Sequence, residues 1–248
     1  MLHERSSHVH GLSNLNMREA MLVNRPTRNY DEEKRMTSQL AILAMQELVR
    51  LVIMFLKNLQ SIQELIVGID GMKLVEMFLD SEKWTNRFPT IVTKAETTKV
   101  LETDLQGNRD GALLLMNGEM HILSPLVRPH EFNIIRYCKQ VDVGVWVITD
   151  VSFDSSQPNT PPLSRSWKHP SGCMIREMPN KSSLVTWVEH VEVEDMLHTH
   201  HIFRDFVGNY TLYGVESWIE ELQRMWQIFQ FLCCNYRFFE APPAFSSI

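Results

Sequence analysis

The stretch WVITDVSFDSSQPNTPPLSRSWKHPSGCMIREMPNKSSLVTWVEHVEV, Trp146 to Val193, decides the fold. Two strongly alternating strands and a hairpin turn flank a proline-rich loop, Gln157 to Pro170. Along the first strand Val145, Val147, Thr149, Val151 and Phe153 share one face. Along the last, Val185, Trp187, Glu189, Val191 and Val193 do the same, as a period of two requires. A long helix follows. Leu212, Val215, Ile219, Leu222, Trp226, Phe229 and Cys233 fall on one helical face, and Trp218, Met225 and Leu232 widen it. A stripe this broad and aromatic belongs against a concave sheet, which predicts an α+β architecture with an apolar interior. A two-layer core without a cavity fits the same periodicity equally well.

Working outward, EFNIIRYCKQVDVGVWVITDVSFD reads as a hairpin turning near Asp142 to Gly144, and GCMIREMPNKSSLVTWVEHVEV as another turning at Pro179 to Lys181. IVTKAETTKVLETD alternates and is rich in β-branched residues, so it is a strand; ALLLMNGEMHILSPLV is a strand pair or one long bent strand. Upstream the period becomes helical. A helix capped by Thr37 or Ser38 runs through Leu40, Leu43, Leu48, Leu51 and Val52 to about Leu59. MKLVEMFLD is a short helix, and SEKWTNRFP a helical turn that Pro89 closes. The division expected is a mobile arm over residues 1–36, one domain over 37–236 and an unstructured tail over 237–248.

Composition narrows the function. The 248 residues carry a formal charge of −6, leaving no global positive field to attract nucleic acid. Cys138, Cys173, Cys233 and Cys234 form no CxxC pair and no zinc-ligand spacing, so no metal or other cofactor is expected. The opening MLHERSSHVHGLS lacks the apolar core of a secretory signal, and a reducing interior compartment fits best. Leu51 to Leu56, bounded by Arg50 and Lys57, is far shorter than the roughly 20 residues of a membrane span, so no transmembrane segment is expected.

DSEKWTNRFPTIVTKAETTKVLE, LSPLVRPHEFNIIRYCKQVDVGVWVITDVSFD, PSGCMIREMPN and VTWVEHVEVED closely resemble the START lipid-binding domain of plant class IV homeodomain–leucine zipper transcription factors. The resemblance covers roughly Gln39 to Tyr236. It implies a helix-grip fold, an antiparallel sheet curled around a long C-terminal helix, with a tunnel for a lipid or sterol. No basic recognition helix is evident, and the zipper is reduced to Leu12, Leu15 and Leu22, so the chain reads as a truncated relative without the homeodomain. Between Leu56 and Met72 the family carries the first sheet strand or strands. Here KNLQSIQELIVGIDG is expected to join one helix almost directly to the next, leaving that edge strand lost.

The resemblance also places Arg136 where START domains often hold an inward arginine paired with an acid. A cation beneath an apolar cavity could orient a lipid hydroxyl or head group; an exposed arginine on the outer face is the competing reading. Its expected partner is Glu119, the one acid in Asn117 to Glu119. Trp146, Phe153, Val185 and Trp187 are candidates for the cavity wall, and Trp218, Leu222, Met225 and Phe229 for the helix covering the ligand, with plain core packing as the alternative for each. Met174 and Met178 would suit an adaptable pocket. His198, His200 and His201 lack regular metal-ligand spacing, and Glu189 and His190 point to opposite faces of a strand. No nucleophile elbow or phosphate-cradling loop is present, so catalysis is not expected. The reading is a non-enzymatic lipid- or sterol-binding module, regulatory, and nuclear by family resemblance with the cytoplasm as alternative. A dimerisation scaffold that no longer binds lipid, pairing with itself or with full-length relatives, is the rival; a helix-grip enzyme is the second.

Overall fold

The computed structural model describes residues 30–54, 62–103, 109–153, 165–194 and 213–236. The chain enters through helix α1, Tyr30–Met54, whose first turn carries Asp31, Glu32 and Glu33 against the positive end of the helix dipole. Strand β1, Ile62–Val67, follows, then helices α2, Gly71–Leu79, and α3, Ser81–Arg87. Strands β2, Val92–Glu102, β3, Leu113–Met120, β4, His130–Asp142, and β5, Val145–Ser152, form a meander. Next come β6, Arg165–Lys168, β7, Ser171–Glu177, β8, Ser183–Val188, and β9, Val191–Glu194. The last element is α4, Val215–Tyr236.

Seven strands form one antiparallel sheet in the order β1-β8-β7-β5-β4-β3-β2, while β6 and β9 form a separate ribbon. This sheet, closed by the C-terminal helix, is the helix-grip fold. The two hairpin turns lie where the sequence places them. Gly144 at the β4–β5 turn has φ +69°, and Lys181 at the β7–β8 turn has φ 59°. The ambiguous β3 stretch is a single strand.

Three expectations are corrected. The edge strand thought lost is present: β1 pairs antiparallel with β8 from Ile62↔Val188 to Val67↔Ser183. Leu65 and Val67 face the concave core, while Glu64 turns outward and accepts a 2.9 Å hydrogen bond from Thr186 Oγ1. So short an apolar run has no period that separates strand from helix. The final strand does not run unbroken to Val193. It stops at Glu189–His190, and β9 leaves the sheet to pair with β6, cut from the expected loop. Ser171 supports this break, its hydroxyl accepting from the His190 N–H at 2.8 Å. Finally, α1 already includes Tyr30, inside the segment assigned to the mobile arm.

Ala41, Ala44, Leu48 and Leu51 recur at helical spacing and bury α1 against the convex side of the sheet. Their partners are Leu101, Leu113, Leu115, Ile135 and Val151 in one cluster, and Ile62, Val147, Met174 and Val188 in the next. By length and composition Tyr30–Ile53 is apolar enough to cross a bilayer, a longer stretch than Leu51 to Leu56 suggested. That helix lies on the sheet through its small and leucine face and carries a Glu47–Arg50 ion pair at 2.6 Å.

Candidate functional site

On β4 the even-numbered residues His130, Phe132, Ile134, Arg136 and Cys138 are buried, and strand alternation turns them to the concave side. On β5 the same alternation brings Trp146, Ile148 and Asp150 inward. The register sets Arg136 directly opposite Asp150. Arg136 Nε and Nη2 donate to the two Asp150 carboxylate oxygens, each at 2.7 Å, and Nη1 donates to the Phe78 carbonyl at 2.5 Å. Such a bidentate pair is the strong form of the interaction. The guanidinium also lies 4.0 Å from the Trp84 ring centroid.

Lys168, at the end of β6, extends the pair into a network. Its ammonium is 3.4 Å from Asp150 Oδ2 and 3.1 Å from Glu189 Oε1, with side chains only 1–5% exposed. It also sits 5.2 Å from the Trp218 ring centroid. Trp187 Nε1 donates to Glu189 Oε2 at 3.1 Å. Burial alone would raise the Asp150 carboxyl, but Arg136 and Lys168 together hold it below the ordinary carboxylate range. Burial pushes the Glu189 carboxyl up; Lys168 and the Trp187 N–H offset this only in part. Two cations and two acids thus form a charge-balanced floor inside the sheet.

Aromatic rings fill the space above that floor. Trp187 and Trp218 stack at 5.1 Å, and Trp218 and Trp84 at 6.1 Å with only 4° between planes. Phe88 meets Trp187 and Trp218 edge-on at 5.8 and 5.1 Å. The void bounded by Arg136, Asp150, Lys168, Trp84, Trp187 and Trp218 is about 10 Å³, close to the smallest space that holds one water. The N-terminal half of α4 is fixed over this core. Tyr213 Oη donates to the Met120 carbonyl at 3.3 Å and lies 2.8 Å from His130 Nδ1, and Thr90 Oγ1 donates to Glu221 at 2.7 Å. Farther along, Ile228 and Phe231 are 55% and 69% exposed.

Of the candidate residues, Arg136, Trp146, Val185, Trp187, Trp218 and Leu222 lie buried on the concave side. Met225 is partly buried against the same core; Phe229 is exposed and stacks at 5.9 Å on Trp226. Phe153 lies on the opposite side, against the α1 cluster, because it shares strand parity with Val147 and Val151; Met174 is likewise under α1. Glu119 is not the partner of Arg136: it stands opposite Glu131 and accepts from Thr93 Oγ1 at 2.5 Å. Asp150 and Lys168 are absent from the sequence candidates, and Glu189 enters there only as a strand neighbour of Trp187 and His190. The signal for Asp150 was available, since a hairpin turning around Val143 sets residues 136 and 150 across from each other. The zipper leucines and His198, His200 and His201 lie outside the described residues. Among the described residues no group of three His, Cys, Asp or Glu side chains could hold a metal.

An antiparallel sheet gripping a terminal helix over a polar floor defines the helix-grip class. Human StAR-related lipid transfer protein 5 shares this fold, with a TM-score of 0.55 at 14% identity, covering 79% of this chain and 99% of that one. The START domain pattern matches residues 59–228, and the chain belongs to the START domain family. Homeobox-leucine zipper protein HDG11 of Arabidopsis thaliana is 42% identical over 164 residues, 66% of this chain and 22% of the relative. Homeobox-leucine zipper protein HDG8 of the same plant is 43% identical over 166 residues, 64% of this chain and 23% of the relative. The chain therefore spans less than a quarter of the length of these curated relatives. The resemblance to the START domain of class IV homeodomain–leucine zipper proteins holds at this level of identity.

Proposed function

We propose that this START domain is a regulatory module that binds one lipid or sterol between α4 and the concave face of the sheet, without catalysing a reaction. The observation that carries the reading is the buried Arg136–Asp150–Lys168–Glu189 floor beneath an amphipathic helix. Each buried methylene of a ligand would contribute about 0.8 kcal/mol, so a sterol-sized guest reaches micromolar affinity without strong polar contacts. Because the void described beside Trp218 is only about 10 Å³, the guest must displace Trp218. Binding would then stabilise the folded form by mass action and change the surface that α4 presents to a partner. The likeness to homeobox–leucine zipper proteins supports a role for such a switch in transcription control in the nucleus, exerted on longer relatives or on a second copy of this chain.

Trp84, Trp187 and Trp218 would report entry directly. Titration with cholesterol, a plant sterol or a phosphatidylcholine should give a saturable change in tryptophan emission at one ligand per chain. A flat titration with all three would count against the reading. The close packing of Trp84, Phe88, Trp187 and Trp218 over the floor favours one alternative, a protein-interaction scaffold that binds no lipid; unchanged emission together with self-association in sedimentation would select it.

A further inference from the structure

A second concavity, of about 360 Å³, opens between the α2–α3 junction and the β2–β3 end of the sheet, away from the charged floor. That volume is within the range of small-molecule sites. Leu79, Val100, Ala112 and Leu114 give it an apolar lining, and Lys83 and Arg109 stand at its margin. Ala112 and Leu114 are nearly buried, whereas Val100 is 48% exposed on the open side.

Arg109 is held in the left-handed region at φ 63°, which side-chain-bearing residues seldom adopt. The turn that holds it is tightly bonded. Ala112 N–H donates to the Arg109 carbonyl at 3.3 Å and Gly111 N–H to the Cys138 carbonyl at 2.9 Å. The neighbouring Asp110 carboxylate is already engaged, by the Gln140 N–H at 2.9 Å and Lys139 at 3.0 Å. Among the described residues, the Arg109 guanidinium has no carboxylate within ion-pair distance. Lys83 is 52% exposed and holds only long contacts, 3.8 Å to Glu76 and 3.9 Å to Asp80. A guanidinium without an ion-pair partner among the described residues, set beside an apolar trough, is complementary to one negative charge on a hydrocarbon chain. The acids Glu76 and Asp80 on the facing wall disfavour a head group of higher charge.

We propose that this groove binds a medium-chain carboxylate amphiphile, its carboxylate on Arg109 and its chain along Leu79, Val100 and Leu114. The site is separate from the space under α4. Calorimetric titration of the full chain with sodium dodecanoate, below its micelle concentration, tests it alongside dodecylamine and dodecyl phosphate. Dodecanoate should bind best, and Arg109→Gly and Val100→Asp should each weaken it by about tenfold or more. Arg109→Gly relieves the left-handed backbone, so its melting temperature should stay level or rise, which separates lost binding from lost fold. No binding of dodecanoate up to about 1 mM, equal binding of dodecylamine, or undiminished affinity in both variants would overturn the proposal. Lipid retained under α4 should be the same in Val100→Asp as in the parent chain, so failure here leaves that reading standing.

Discussion

The convex face of the sheet is covered by α1 through Ala41, Ala44, Leu48 and Leu51, set against leucine, isoleucine and valine. The concave face, only one strand thickness away, buries four charges and a stack of three tryptophans. Dispersion and water exclusion suffice for the first face, and any well-fitting aliphatic set would serve there. The second face carries desolvated ions, which hydrophobic side chains of equal volume could often replace without loss of stability. Stability alone therefore does not account for the polar floor. Under the proposed function, the contrast reads as scaffolding on the convex side and recognition on the concave side.

The largest expected effect falls on the concave side. Asp150→Ala leaves Arg136 and Lys168 buried with one acid between them, and should cost about 3–5 kcal/mol in urea unfolding. If that loss were below about 1 kcal/mol, the floor would behave like surface charge and the contrast would fail. Leu48→Ala on the convex side, where the side chain is fully buried, should cost about 2–4 kcal/mol through a cavity. Its loss should be the same across pH, whereas that of Asp150→Ala should not.

The sign of that pH dependence follows from the two carboxyls. Asp150 is lowered in the folded chain, so its contribution is present above the unfolded value of about 3.9 and disappears as pH falls through the depressed folded value. Glu189 is raised, so the folded state holds its proton longer than the unfolded chain does. Its contribution declines as pH rises from the unfolded value of about 4.3 towards the folded one. Glu189→Gln should flatten that decline, as read from unfolding midpoints measured at successive pH values. An unchanged slope would mean that Lys168 neutralises Glu189 completely. The smallest effect lies outside both faces. Asp70 caps α2, accepting from the Met72 N–H at 3.0 Å, and Asp70→Ala should cost about 1 kcal/mol wherever ligand is bound or absent.

What the sequence made legible was whatever a local period encodes. The alternation of β4, β5, β7 and β8 and the 3,4 spacing of α4 marked an antiparallel sheet facing a long helix, the resemblance to START domains implied the helix-grip architecture, and the turns at Gly144 and Lys181 fixed two registers. The face that each strand presents was not legible, because period two gives two faces without saying which is inside. Phe153 and Met174 were lost to that ambiguity; Trp146, Val185 and Trp187 had no better warrant. β1 was hidden by its brevity. Lys168 could not be found at all, since it reaches the floor from a ribbon formed by strands far apart in sequence, where a proline-rich loop was the natural reading.

Native mass spectrometry of the chain after incubation with vesicles of mixed phospholipid and sterol addresses the central claim most directly. The account predicts a complex carrying one lipid per chain, retained on dilution and maintained or increased by Trp218→Ala, which removes the ring the guest must displace, in protein that remains folded by circular dichroism. A chain that stays lipid-free at every vesicle composition would contradict it.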